Sequence, residues 1–207
     1  MKKLVKKHSL AIRWFHWINF PLLLMMIWSG LLIYWAYPAY GTLDQKTWRQ
    51  LGVSFRLAEG MALHFFFMWL FAVNGTLYVA YTIVSGAWRE LVPNRHSFRE
   101  AWQVVLHDLW IRRSPLPKRK FNGAQQIAYT AIIVMGFGSL LTGLAIYKPV
   151  QFSWLAWVFG GYQRARFFHF CLTAGYVVFF VVHVLQVVRA GWNNFRAMVI
   201  GYEVEHE

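Results

Sequence analysis

The chain has 207 residues, 58% of them hydrophobic and 19% aromatic, with a mean hydropathy of +0.37. Those values exclude an ordinary soluble domain. The formal net charge of +13 raises nucleic acid as a partner, but its distribution along the chain describes a membrane topology and no nucleic-acid surface.

Four segments lack Asp, Glu, Lys and Arg altogether: Trp14–Leu43, Gly60–Trp88, Phe121–Tyr147 and Phe167–Val188. About 20 residues cross a bilayer core, so each is long enough for a span. The expected fold is an all-α integral membrane protein, a four-transmembrane-helix bundle with residues 1–207 as one domain. The first helix is expected at about 13–37, broken by Pro38 and Gly41. Lys2, Lys3, Lys6 and Lys7 precede it, yet its apolar run is too long for a signal peptide and no small-x-small site follows Leu31–Tyr40. It reads as an uncleaved span. In the short outer loop, Gln45–Leu57 is expected as a brief interfacial helix. The second span returns over about 61–87.

The polar inner loop 88–120 carries Phe98, Trp102, Val105 and Leu109 at helical spacing, with Arg99, Gln103 and Asp108 elsewhere round the wheel. That is the pattern of an amphipathic helix lying in the interface. Ser114–Pro115–Leu116–Pro117 ends it before the basic cluster Lys118–Lys120. The third span is expected at about 124–147, where Gly136, Gly138 and Gly143 allow close helix packing or approach of a flat cofactor. The fourth is expected at about 166–190. Trp17, Trp35, Trp88, Trp154, Trp157 and Trp192 fall near span ends, as interface anchors do.

Charge sets the orientation. With both termini inside, the inner side holds five basic residues in the N-terminal tail, eight between Arg89 and Lys120, and Arg189 with Arg196. The outer side holds only Lys46, Arg49, Arg56, Lys148, Arg164 and Arg166. This asymmetry predicts cytoplasmic termini, with the basic excess touching anionic lipid.

Four histidines lie in or at the edges of the charge-free segments: His16, His64, His169 and His183. An ionisable group at membrane depth needs a partner or a purpose. His169 and His183 are fourteen residues apart, which returns to nearly the same helix face about 21 Å further along the axis. Topology then sorts the four by depth. His16 and His183 lie toward the inner face, His64 and His169 toward the outer face, and the third span serves as wall. Two imidazoles fill both axial positions of an iron, so two depth-matched pairs predict two stacked haems. A bis-His haem has no open coordination site, which suits electron transfer. Zinc would demand three or four ligands at one point. The lone Cys171 allows no internal disulfide and no CxxCH attachment, and this chain by itself binds no cysteine-held iron–sulfur cluster.

The sequence resembles the bacterial cytochrome b561 and Ni/Fe-hydrogenase b-type cytochrome group. That group includes the membrane subunits of hydrogenases, formate dehydrogenase and thiosulfate-reductase-like molybdoenzymes. The matching residues are Arg13–Trp14–Phe15–His16–Trp17, His64, Thr142–Gly143–Leu144, and His169 with His183 followed by Arg189-Ala-Gly-Trp192. The final segment Val187–Tyr202 looks most like stand-alone cytochromes encoded with periplasmic molybdopterin oxidoreductases. The resemblance covers essentially the whole chain. It implies a bacterial inner-membrane subunit with two haems b, exchanging electrons between ubiquinone or menaquinone and a catalytic oxidoreductase subunit at the periplasmic face. It further implies a quinone site by the inner haem, along Phe121–Gln126. There Asn122 and Gln125 are the candidate contacts; the alternative is that they only cap the helix. Arg13 near the inner haem, and Arg164 or Arg166 near the outer, are candidates to pair with propionates; lipid headgroup contact is the alternative for all three.

The mechanism this predicts is a transmembrane electron relay, with no catalytic residue for other substrate chemistry and with either direction of flow open. Two other readings compete. One is a self-sufficient b561-type superoxide:quinone oxidoreductase. The other is a haem-free transporter or proton relay using the four histidines.

Overall fold

The computed structural model describes residues 2–36, 45–52, 55–108, 110–111 and 121–206. Within them the elements run β1 (Lys2–Lys6), α1 (Leu10–Tyr34), α2 (Gln45–Gln50), α3 (Leu57–Val84), α4 (Trp88–Leu91), α5 (Arg95–Asp108), α6 (Gly123–Tyr147), α7 (Ser153–Val158), α8 (Tyr162–Ile200) and β2 (Tyr202–His206). Helices α1, α3, α6 and α8 are long and apolar enough to cross a membrane. These are the four spans expected from the charge-free segments. Pro38, Gly41, Leu109 and Ser114–Lys120 lie outside the described residues.

Helix ends follow caps rather than charge. α1 begins at Leu10, before Arg13, because Ser9 Oγ accepts the Ile12 N–H at 3.4 Å. α3 begins at Leu57 and so includes Glu59, whose carboxylate takes a 2.7 Å hydrogen bond from Arg56 Nε. The interfacial helix expected over Gln45–Leu57 stops at Gln50, where Gly52 and Phe55, both at positive φ, turn the chain. The short α7 and the pairing of the two chain ends were not expected.

The chain divides into two compact units, Met1–Tyr78 with Val182–Glu207, and Val79–Val181. In the first, β1 pairs antiparallel with β2, Lys2 opposite His206 and Lys6 opposite Tyr202. Lys7 Nζ reinforces the ribbon through Glu203 at 2.7 Å and Asn194 Oδ1 at 2.9 Å. α8 is interrupted at Gly191 (φ 81°, ψ 175°), a backbone conformation open in practice to glycine alone. Beyond it the helix resumes to Ile200 and lies against the start of α1. There Arg13 Nη1 donates to the Val199 carbonyl at 2.6 Å, and Trp17 Nε1 donates to the Met198 carbonyl at 3.1 Å. α1 and α3 pack closely at Gly60, where an added Cβ would stand 2.8 Å from Leu32 Cβ. Asn74 Nδ2 ties the two helices again, 3.4 Å from both the Phe15 carbonyl and Asn19 Oδ1, polar glue of the kind spans use.

In the second unit the amphipathic helix of the inner loop is α5. One face packs on the start of α6: Ser97 Oγ donates to Gln126 Oε1 at 2.7 Å, and Gln126 Nε2 donates to the Glu90 carbonyl at 2.9 Å. Its other face leaves Phe98, Trp102 and Val105 exposed, as an interfacial helix requires. Ala145 of α6, Leu155 and Ala156 of α7, and Ala165 of α8 form a small core. Small residues let these helices approach.

Many large apolar side chains of the spans face outward. Phe66, Trp69, Val73 and Leu77 form an outward stripe on α3, and each is more than half exposed. Ser29, Asn74, Thr82, Ser97, Gln126 and Thr142 are buried alongside apolar residues such as Leu22, Leu32 and Tyr176. Apolar side chains outside and polar ones within are what a lipid solvent selects.

Candidate functional site

The first unit brings His16 and His183 together. Their ring centroids are 6.1 Å apart and the ring planes tilt by 55°. His16 Nδ1 is buried and has no hydrogen-bond partner, a costly state for a ring nitrogen unless a further group meets it. One iron between two imidazoles needs roughly 6.2 Å between ring centres, from about 2.0 Å per metal–nitrogen bond and about 1.1 Å from nitrogen to ring centre. The pair fits a haem iron.

His64 stands at a different level of the same unit. It meets α1 at Ser29, thirteen residues after His16, which is about 20 Å along the helix. Its Nδ1 is 2.9 Å from Ser29 Oγ, and its ring lies over Gly30, where an added Cβ would stand 3.7 Å from Cε1. In the second unit His169 sits in the same way. Its Nδ1 is 2.8 Å from Thr142 Oγ1, and its Cε1 would be 3.4 Å from a Cβ at Gly143. Among the described residues no group of three or more His, Cys, Asp or Glu converges. Two imidazoles meeting without a third ligand suit haem better than zinc.

The other expected residues lie as follows. Arg13 carries a structural task through the Val199 carbonyl, and its Nε is buried without a partner. Arg164 and Arg166 are exposed in the first turns of α8, ahead of His169. Arg164 lies against Gly160, while Arg166 Nη1 reaches Gln163 Oε1 at 3.4 Å. Asn122 and Gln125 form a reciprocal capping box. Asn122 Oδ1 accepts from the Gln125 N–H and Gln125 Oε1 accepts from the Asn122 N–H, each at 3.0 Å. Capping therefore takes both side-chain oxygens and leaves their NH2 groups.

Residues 7–201 match the family described as prokaryotic cytochrome b561. The chain belongs to the prokaryotic cytochrome b561 family. It is 32% identical over 202 residues to a protein of Azospira oryzae named putative protein-methionine-sulfoxide reductase subunit YedZ1, covering 97% of this chain and 99% of that one. As a b561 cytochrome the chain is a multi-pass integral membrane protein of electron transfer, in a family of helical membrane bundles that bind haem b. The recognised resemblance and the expected all-α membrane fold both stand.

Sequence reasoning missed the hydroxyl partners of the imidazoles in this b561 cytochrome. Ser29 and Thr142 look like ordinary small residues of apolar helices. A signal was available: each is a hydroxyl residue followed by glycine inside a charge-free span, Ser29–Gly30 and Thr142–Gly143. Thr142–Gly143 drew notice only through the family resemblance. The Ser97–Gln126 bond also went unseen, because nothing in either residue type points to its partner.

Proposed function

We propose that this chain is the membrane subunit of an oxidoreductase complex, acting as one dihaem domain that carries electrons between the quinone pool and a catalytic partner. His16 and His183 would hold one b haem, and His64 and His169 the other. The observation that carries this reading is the 6.1 Å separation of the His16 and His183 rings, together with a buried His16 Nδ1 that has no hydrogen-bond partner. The pairing of His64 with His169 rests on their equal expected depth and on the matching hydroxyl contact each ring makes. Bound haems supply one-electron transfer at two depths of the bilayer.

The chain's own residues do the remaining work. The four imidazoles would hold the two irons, and the bound groups would supply electron transfer rather than oxygen chemistry. Arg13 on one side, and Arg164 or Arg166 on the other, offer guanidinium groups to propionates. The NH2 group of Asn122, free of the capping box, donates to a quinone carbonyl, with Gln125 beside it. The basic loop and tails hold both termini on the cytoplasmic side of a bacterial inner membrane.

The name of the Azospira oryzae relative, a reductase subunit, supports a direction of flow. Electrons would leave quinol and pass to a periplasmic partner that reduces oxidised methionine side chains in proteins. The test is anaerobic addition of a quinol to the purified cytochrome in nanodiscs, combined with disruption of its gene in the host. Quinol should reduce the bound haems, and the disrupted strain should lose quinol-dependent repair of protein methionine sulfoxide in its cell envelope. Haems inert to quinol would overturn the quinone assignment, and undiminished repair would overturn the assigned partner.

A further inference from the structure

Ser29 and Thr142 are buried almost completely, with relative exposures of 0% and 1%. They occupy different helices, α1 and α6, in different units, yet each makes the same set of contacts. Ser29 Oγ is 2.6 Å from the Met25 carbonyl and 2.9 Å from His64 Nδ1. Thr142 Oγ1 is 2.7 Å from the Gly138 carbonyl and 2.8 Å from His169 Nδ1. A hydroxyl has one proton to give. Two oxygens as close as 2.6–2.7 Å need a proton between them, so each hydroxyl donates to the carbonyl four residues back, the usual back-bond of Ser and Thr in helices. It is then only an acceptor toward the imidazole, and Nδ1 must carry the ring proton. Nε2 is then the unprotonated nitrogen, the one able to bind a metal.

We propose that Ser29 and Thr142 are positioning residues that lock His64 and His169 in the Nδ1–H tautomer and lower the potential of the haem these histidines hold. The proposal rests on the haem reading above. A ligand imidazole that donates its second N–H to an acceptor is fixed in orientation and becomes a stronger electron donor, which favours the oxidised iron. A dry surrounding strengthens such a bond. His16 differs, since its Nδ1 has no hydrogen-bond partner. Ser29 and Thr142 touch only the imidazoles assigned to one haem, so the effect falls on that haem.

The test uses the full chain in nanodiscs. The variants are Ser29→Ala, Thr142→Val, which keeps the shape and removes the hydroxyl, and Thr142→Ser, which keeps the hydroxyl. The readouts are a potentiometric titration resolving the two haems and the low-spin ferric signals in electron paramagnetic resonance. Outer-shell partners of this kind are typically worth at least tenfold in metal affinity. If about tenfold is lost preferentially from the ferric state, one midpoint rises by about 59 mV. Ser29→Ala and Thr142→Val should move the same one of the two midpoints upward and shift its ferric signal, while Thr142→Ser leaves both near wild type. Loss of that one haem in Thr142→Val but not in Thr142→Ser would support the same role. Two haems with unmoved midpoints in Ser29→Ala and Thr142→Val would overturn this inference and leave the haem reading intact. A wild-type protein without haem would overturn both.

Discussion

Gly60→Ala is expected to disturb the site through the helix crossing it occupies. The added Cβ would stand 2.8 Å from Leu32 Cβ and 3.1 Å from the Ile33 backbone nitrogen. Neither atom is the end of a flexible side chain, so α1 and α3 must part by roughly 1 Å to reach ordinary contact near 3.8 Å. His64 lies one turn after Gly60 on α3, and Ser29 lies one turn before Ile33 on α1. Opening their 2.9 Å contact by that amount takes it beyond hydrogen-bonding range. Overpacking of this kind costs about 1–3 kcal/mol. Gly75→Ala on the same helix is the control, because nothing lies within 4 Å of a Cβ there. Both changes gain the same helix propensity, about 1 kcal/mol, so the gap between the two variants isolates the crossing. At about 2 kcal/mol and roughly 3 °C per kcal/mol for a chain of this size, thermal melts in detergent should separate them by about 6 °C, Gly60→Ala the lower. The haem spectrum should change in Gly60→Ala alone. Equal melting and equal spectra would refute the claim that this crossing sets the His64 position.

Two further outcomes follow from the structure. Gln126→Leu removes the donor to the Glu90 carbonyl and the nearer of two acceptors of Ser97 Oγ, leaving Asn94 Oδ1 at 3.2 Å; loss of buried hydrogen bonds of this kind costs about 1–3 kcal/mol. Hydrogen exchange across Arg95–Asp108 should quicken. Gly191→Ala forces a Cβ into φ 81°, ψ 175° at a cost of about 1–3 kcal/mol. Exchange in β1 and β2 should rise in this variant, and unchanged protection there would show that the break in α8 does not hold the ribbon.

The spans were legible because charge is absent from them, and the four histidines because charge-free helices make any ionisable group conspicuous. Helix ends were less legible. Arg13 and Glu59 read as boundaries, yet both lie inside helices, Arg13 engaged with the Val199 carbonyl and Glu59 with Arg56. The ribbon joins Lys2–Lys6 to Tyr202–His206, a pairing across nearly the whole chain that no local pattern announces. The helix beyond Gly191 was hidden because Arg189 and the glycine both read as stops. At the capping box, by contrast, one pair of residues, Asn122 and Gln125, satisfied the local signal for a helix start whatever else its NH2 groups do. The hydroxyls of Ser29 and Thr142 were the least visible part of the site, since their role appears only once a histidine from another stretch of chain is seen beside them.

On the proposed function, two separate histidine pairs hold two haems. A reduced-minus-oxidised absorption spectrum with haem quantification, on wild type, His64→Ala and His183→Ala, measures it directly. Two haems per chain in wild type and one in each variant, with a different spectral component missing in each, is the outcome expected. A colourless wild-type protein, or either variant keeping both haems, would contradict it.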